Sequence, residues 1–135
     1  MRAVADSHSL LYYLFTPDQL SDRALDVLGQ AEDSDGIVVS AATLGDLWYS
    51  SHKIGKRALT PGAFDSLRAT VLDPQNQFQL APLDATTMDH LRSFPLAALP
   101  DPWDRLIVST AAQLQLPLVT KDRAITAAGV VETIW

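Results

Sequence analysis

Apolar residues along this chain fall in short runs, separated by capping and turn-forming residues, and the runs alternate between two periods. Ala3-Val4-Ala5, opened by Arg2, is a brief apolar stretch that stops at Asp6, as a buried parallel strand does. Asp6, Ser7 and Ser9 then supply cap-type residues ahead of a helix over Leu10–Phe15, which Thr16-Pro17 breaks. Ser21–Ala31 reads as a second helix with Leu25 and Leu28 on one face, and Asp33-Ser34-Asp35-Gly36 as a turn. Ile37–Val39 is the next strand, ending at Ser40. Thr43 opens a helix to about Lys53, with Leu44, Leu47 and Trp48 at helical spacing.

Thr60-Pro61 places a capping residue before a first-turn proline, so a helix starts there and runs to about Asp73, where Pro74 stops it. Phe78–Leu80 is a weak third strand, and Asp84 caps a short helix over Thr86–Arg92. A proline-punctuated loop, Pro95 to Pro102, leads into a strong helix from Trp103 to Gln115, with Trp103, Ile107, Thr110, Ala111 and Leu114 on or beside one face. Leu116–Thr120 and Val130–Trp135 are the last two strands, with a turn or short helix around Ala124. Strands alternating with helices predict an α/β fold: a parallel sheet of about five strands covered by helices on both faces, in a single domain over residues 1–135.

Composition narrows the chemistry. Hydrophobic residues make up 47% of the chain and charged residues 19%, a balance that suits a folded core. There is no cysteine, so any metal must be held by oxygen or by His8, His52 or His90. No apolar run is long enough to span a bilayer, and Ser9–Phe15 lacks the preceding basic region of a signal peptide; a soluble cytoplasmic protein with no membrane partner is expected. The net charge of -6 is the wrong sign for a simple phosphate binder. Clustered carboxylates account for much of it, and a metal among them would offset it locally.

In an open parallel sheet the working site lies beyond the carboxyl ends of the strands. Asp6 follows the first strand and Asp122 the fourth. Asp46 lies early in the helix after the second strand, and Asp101 and Asp104 begin the helix before the fourth. Acids gathered at one edge repel one another unless a cation sits between them. Mg²⁺ or Mn²⁺ prefers such oxygen donors, and the matching chemistry is metal-assisted phosphodiester hydrolysis. Each acid also has a plainer role: Asp6, Asp101 and Asp104 as helix-start residues, Asp46 as a solvated helix acid, Asp122 as a turn former. His8 could touch substrate or metal, though a polar helix-start residue is the simpler reading; His52 and His90 are expected on exposed helix faces.

These segments resemble a known family. Val4-Ala5-Asp6-Ser7-His8-Ser9-Leu10-Leu11 looks like the first acidic motif of VapC-type PIN-domain toxins, and Val39-Ser40-Ala41-Ala42-Thr43-Leu44-Gly45-Asp46-Leu47 is similar to their second. Asp101-Pro102-Trp103-Asp104-Arg105-Leu106-Ile107, with Leu118-Val119-Thr120-Lys121-Asp122, resembles the third and fourth, and Gly129–Trp135 the tail of one branch. The resemblance covers the whole chain in order. It implies a three-layer α/β/α PIN fold, Mg²⁺- or Mn²⁺-dependent endoribonuclease activity, and inhibition by a cognate antitoxin. By position, Asp6 and Asp104 would be the primary metal ligands, Asp122 a second-site ligand or holder of metal-bound water, Asp46 the completing acid and Asp101 an auxiliary. The second motif usually carries Glu; Asp46 is one methylene shorter, which can turn a direct metal contact into a water-mediated one.

Lys53, Lys56 and Arg57 after the second motif, and Arg105, Lys121 and Arg123 around the third and fourth, are candidates for RNA phosphate contacts. Arg105 has a structural alternative, an ion pair with a neighbouring aspartate. Competing readings are a PIN fold that has lost activity and only binds RNA or protein, a DNA-directed nuclease, and a phosphoacceptor receiver domain. The receiver fits poorly, because Asp6 stands alone and the third strand ends in Leu80-Ala81-Pro82 without an acid. Leu10–Phe15 is apolar around its circumference, so neighbouring helices bury it completely or it forms, with Trp48 and Tyr49, a homodimer contact or a groove for an antitoxin helix.

Overall fold

The computed structural model describes all 135 residues, Met1–Trp135. Five strands, β1 (Ala3–Ala5), β2 (Ile37–Ser40), β3 (Phe78–Ala81), β4 (Leu118–Val119) and β5 (Thr133–Ile134), form one sheet in the order β3-β2-β1-β4-β5. Every pairing is parallel: Ala3 lies opposite Ile37, Val4 opposite both Val38 and Leu118, and Leu118 opposite Thr133. The third strand sits at one edge and leaves its residues half-buried or exposed. A phosphoacceptor receiver, with a flavodoxin-like order, would bring that strand beside the first, so this topology removes that rival.

Strand periodicity divides the core in two. Ala3, Ala5, Ile37, Val39 and Val119 face one side, where they meet α1 (Ser7–Phe15), α2 (Asp22–Glu32) and α4 (Pro61–Leu72) through residues such as Leu10, Leu28 and Leu67. Val4, Val38 and Leu118 face the other, against α6 (Pro102–Leu114) and α7 (Arg123–Ala128), with Ile107, Ala111 and Ile125. A further short helix, α5 (Ala85–Asp89), packs on α6. The helix after β2, α3 (Ala41–His52), crosses the edge between the layers: Leu47 joins the first core and Ala42 the second. The layers are therefore α/β/α, as expected. No helix is long and apolar enough to cross a membrane.

Several boundaries differ from those the pattern predicts. The first helix begins at Ser7, because Asp6 caps it directly, and Ser7 and Ser9 are buried within its first turn. Ser40, not Thr43, caps α3 by accepting the Ala42 N–H at 3.1 Å; Thr43 is buried with its hydroxyl unpartnered. In α2 the core face is Ala24, Leu28 and Ala31, while Leu25 is 40% exposed, since the smaller residues allow the helix to sit close to the sheet. The last two strands keep only two residues each, the minimum that pairs across β1 and β4. The proline-rich loop contains a 3₁₀ turn over Leu96–Ala98 and buries Phe94 and Leu99. Burial of α6 is wider than one face: Arg105, Val108 and Ser109 are covered as well, because the sheet, α3 and this loop enclose the helix.

Two glycines permit this geometry. Gly36 takes φ 101° in the predicted turn before β2, a conformation that side chains disfavour. Gly45 allows α3 to lie against α6: a Cβ there would meet the Trp103 ring at 2.7 Å.

Candidate metal centre

Because β1 runs to β2 on one side and β4 lies on the other, the order reverses between β1 and β4, and the crevice of this sheet opens beyond their carboxyl ends. Asp6 and Asp122 follow those two strands immediately. Asp6 is buried, and its Oδ1 accepts the Ser9 N–H at 2.9 Å as the cap of α1. Asp122 Oδ1 accepts the N–H groups of Ala124 and Ile125 at 2.8 and 3.2 Å, capping α7. Asp101 Oδ1 accepts the Asp104 N–H at 3.0 Å, capping α6. The plain capping role is thus real for three of the acids. Each such bond uses Oδ1.

Asp104 differs. It is half-buried in the first turn of α6, its side chain has no hydrogen-bond partner, and no Lys or Arg pairs with it; the protein's ion pairs are Met1–Asp35 and Arg92–Asp89. Burial first, then repulsion from Asp101, Asp122, Asp46 and Asp6 in that order, pushes its carboxyl up to about 7. The four other acids therefore act on it as one cluster. Burial also raises the Asp6 carboxyl, against hydrogen bonds from Thr120 and Ser9 and the nearby His8, which favour its charged form.

The shorter acid of the second motif is held from α1: Ser7 Oγ donates to Asp46 Oδ2 at 2.6 Å. In the sequence Ser7 looks like any cap-type residue at a helix start, so this contact across helices leaves no local signal.

The donor set suits a hard divalent ion: it is all oxygen, carries excess negative charge and is paired with no Lys or Arg. No three carboxylates or histidines stand close enough to enclose an ion directly. The fit is therefore to an ion that retains water, as Mg²⁺ does when one or two carboxylates hold it.

The cations divide into two groups. Arg105, a candidate for substrate contact, is buried and belongs to the fold. Its Nη1 donates to the carbonyls of Pro95 and Leu99 at 3.1 and 3.2 Å, and its Nη2 to those of Phe94, at 3.0 Å, and Leu91. Its guanidinium lies 4.2 Å from the Phe94 ring centre. Neither phosphate binding nor the alternative aspartate pair describes it, because the fork is already filled by carbonyls of the preceding loop. Lys121 donates to Tyr12 Oη at 2.8 Å and is exposed, as are Arg123, Lys53, Lys56 and Arg57.

A cleft of about 600 Å³ reaches one of the acids, Asp46, and is lined as well by Ser7, Trp48, Tyr49, His52 and Lys53 among others. A second, of about 640 Å³, shares His8, Leu11, Lys53 and Ala58 with it and continues towards Tyr12, Phe15, Lys56 and Arg57. His52 is exposed as expected, but it lines the cleft, with Nδ1 2.9 Å from the Trp48 carbonyl. Trp48, read from its spacing as part of the core stripe, is 44% exposed there. His8 is exposed between the two clefts, whereas His90 is half-buried in a 3₁₀ turn after α5, apart from both.

The PIN domain family profile matches residues 3–130. No curated protein sequence matches the chain. Among solved structures, similar chains occur in VapBC2 from Rickettsia felis bound to a promoter DNA fragment (TM-score 0.71, 16% identity, covering 99% of this chain and 98% of that one). DNA-bound VapBC from Salmonella typhimurium is also similar (0.68, 17%, 99% and 97%). So is VapBC-5 from Mycobacterium tuberculosis, a member of the VapBC family of toxin-antitoxin systems (0.56, 20%, 98% and 97%). At these identities the structural likeness speaks to the fold.

Proposed function

Since this chain belongs to the PIN domain family, we propose that it is a Mg²⁺- or Mn²⁺-dependent endoribonuclease that serves as the toxin of a toxin–antitoxin pair. The observation that carries this reading is Asp104, half-buried, without a counter-charge and crowded by four other acids. A fold gains nothing from such repulsion; a cation site does. Asp6 and Asp104 would hold the ion, with Asp122 and Asp46 reaching it through water, and Asp101 adding charge. The ion, when bound, supplies an activated water and neutralises charge developing on the phosphate. The chain's own part is to fix these carboxylates: helix caps orient Asp6, Asp101 and Asp122, and Ser7 orients Asp46.

The toxin half of the proposal draws on the VapBC relatives and on the surface. The helix α1 buries Leu10 and Leu11 but leaves Phe15 45% exposed, and Ile54 in the loop after α3 is fully exposed. Complete burial of α1 by its neighbours is therefore not what the fold achieves. Its exposed end offers an apolar contact for an antitoxin helix or a second copy of the chain.

Cleavage of a broad panel of long RNAs in Mn²⁺ tests the activity. Wild-type protein should cut members of the panel and stop on addition of EDTA, and Asp6→Asn and Asp104→Asn should each lose at least about a hundredfold in rate. Equal background rates in all three proteins would favour the second reading, an inactive PIN-fold binding module. The substitution of Asp46 for the usual Glu is the observation on that side.

A further inference from the structure

Resting on the nuclease reading above, we propose that Trp48, Tyr49 and His52 form a base-stacking subsite for single-stranded RNA, with Lys53 as its phosphate contact. The Trp48 and His52 rings, one helical turn apart on α3, stack with centroids 4.4 Å apart and planes 21° from parallel. Tyr49 stands edge-on to Trp48 at 5.0 Å and lies 5.7 Å from Trp103. His52 is pinned through Nδ1 by the Trp48 carbonyl at 2.9 Å and the Ser51 hydroxyl at 2.8 Å. The aromatic group is thus ordered before any ligand arrives, yet Trp48 and Tyr49 remain 44% and 60% exposed. Large, fixed and exposed π faces have no role in the core, and they share one cleft with Asp46 of the acidic cluster.

Charge and size select the occupant. Moving away from Asp46, the cleft passes Lys53 and opens into its neighbour, where Lys56 and Arg57 join Lys53 on the rim. A phosphate chain laid along these cations would carry a base to the rings and its scissile phosphate to the acids; stacking of this kind tolerates any base. About 600 Å³ admits a base or two but not a duplex, whose bases are in any case occupied by one another. An apolar helix suits this end poorly, since it would desolvate Asp46, His52 and Lys53 without pairing them. Phe15, the exposed apolar residue of α1, lines the neighbouring cleft and is not part of the aromatic group.

The test uses the full chain carrying Asp104→Asn, so that RNA stays intact, and a fluorescein-labelled mixed-sequence 12-mer oligoribonucleotide. Anisotropy gives its affinity, and a hairpin of the same composition serves as the duplex control. Adding Trp48→Ala should weaken binding of the single strand about tenfold, Trp48→Phe should restore most of it, and the hairpin should bind weakly to all. Thermal melting should barely move, because Trp48 is half out of the fold. Equal binding by the Trp48→Ala protein, with wild-type protein still cutting RNA, overturns the stacking subsite alone. If instead Trp48→Ala weakens RNA binding but no protein cuts RNA, the subsite stands and the nuclease reading fails. No binding of the 12-mer overturns the subsite, as does a loss confined to Lys53→Ala, which marks a phosphate contact without stacking.

Discussion

Asp104 and Arg105 are adjacent in the first turns of α6, and their surroundings are opposite. Arg105 points into the loop that precedes the helix, where four backbone carbonyls and the face of Phe94 accept its charge; it is buried and fully employed. Asp104 points to the sheet crevice, has no partner and is surrounded by like charge. One charge is complete within the chain and the other is not. The contrast separates the part of this edge that holds the fold from the part that waits for something outside it, and residue type alone does not make that separation.

The largest expected effect breaks the structural side. Arg105→Ala leaves carbonyls of Leu91, Phe94, Pro95 and Leu99 unpaired around a cavity, and should lower unfolding stability by about 3–5 kcal/mol in urea titrations. Arg105→Lys, which lacks the planar fork, should recover only part of that. A stable Arg105→Ala protein that had merely lost RNA affinity would return Arg105 to the substrate side.

Asp104→Asn should act with the opposite sign on stability. Between the unfolded carboxyl value of 3.8 and the folded value of about 7, the folded chain holds a proton that the unfolded chain has released. In metal-free buffer the fold should therefore be most stable on the acid side of this window and weaken as pH rises through 7. Asp104→Asn removes that loss. Because the site is partly open to water, the gain at pH 8 should be only ~1–2 kcal/mol, vanishing near pH 4; denaturant midpoints across pH check it. A variant destabilised equally at both pH values would mean that the Asp104 charge only favours the N-terminus of α6 and is not repelled by its neighbours.

The smallest effect concerns Ser7. Its hydroxyl orients Asp46, so Ser7→Ala should cost about 1 kcal/mol or less in stability and change RNA cleavage only a few-fold. A loss as deep as that of Asp104→Asn would give Ser7 a direct part in the reaction.

The order and type of elements were legible because short, continuously buried strand runs and capped helices leave local marks: Asp6, Thr60-Pro61, Asp84 and Asp101-Pro102 each sit where a helix begins. Placing Asp6, Asp46, Asp101, Asp104 and Asp122 at one edge followed from topology alone, since a parallel sheet puts all strand ends on the same side. What was not legible depends on side-chain direction across elements. The fork of Arg105 turns back to carbonyls six to fourteen residues upstream. Trp48 shares a helical stripe with Leu44 but stands outside both cores, 44% exposed and stacked on His52. The Ser7–Asp46 bond spans two helices that no local pattern relates.

The central claim is that the acids at the crevice form one divalent-ion site. Isothermal titration of Mn²⁺ into wild-type, Asp6→Asn and Asp104→Asn proteins tests it most directly, without reference to any RNA. The wild type should bind Mn²⁺, and each substitution should weaken that binding by at least about tenfold. Unchanged Mn²⁺ binding in both variants, or none in the wild type, would contradict it.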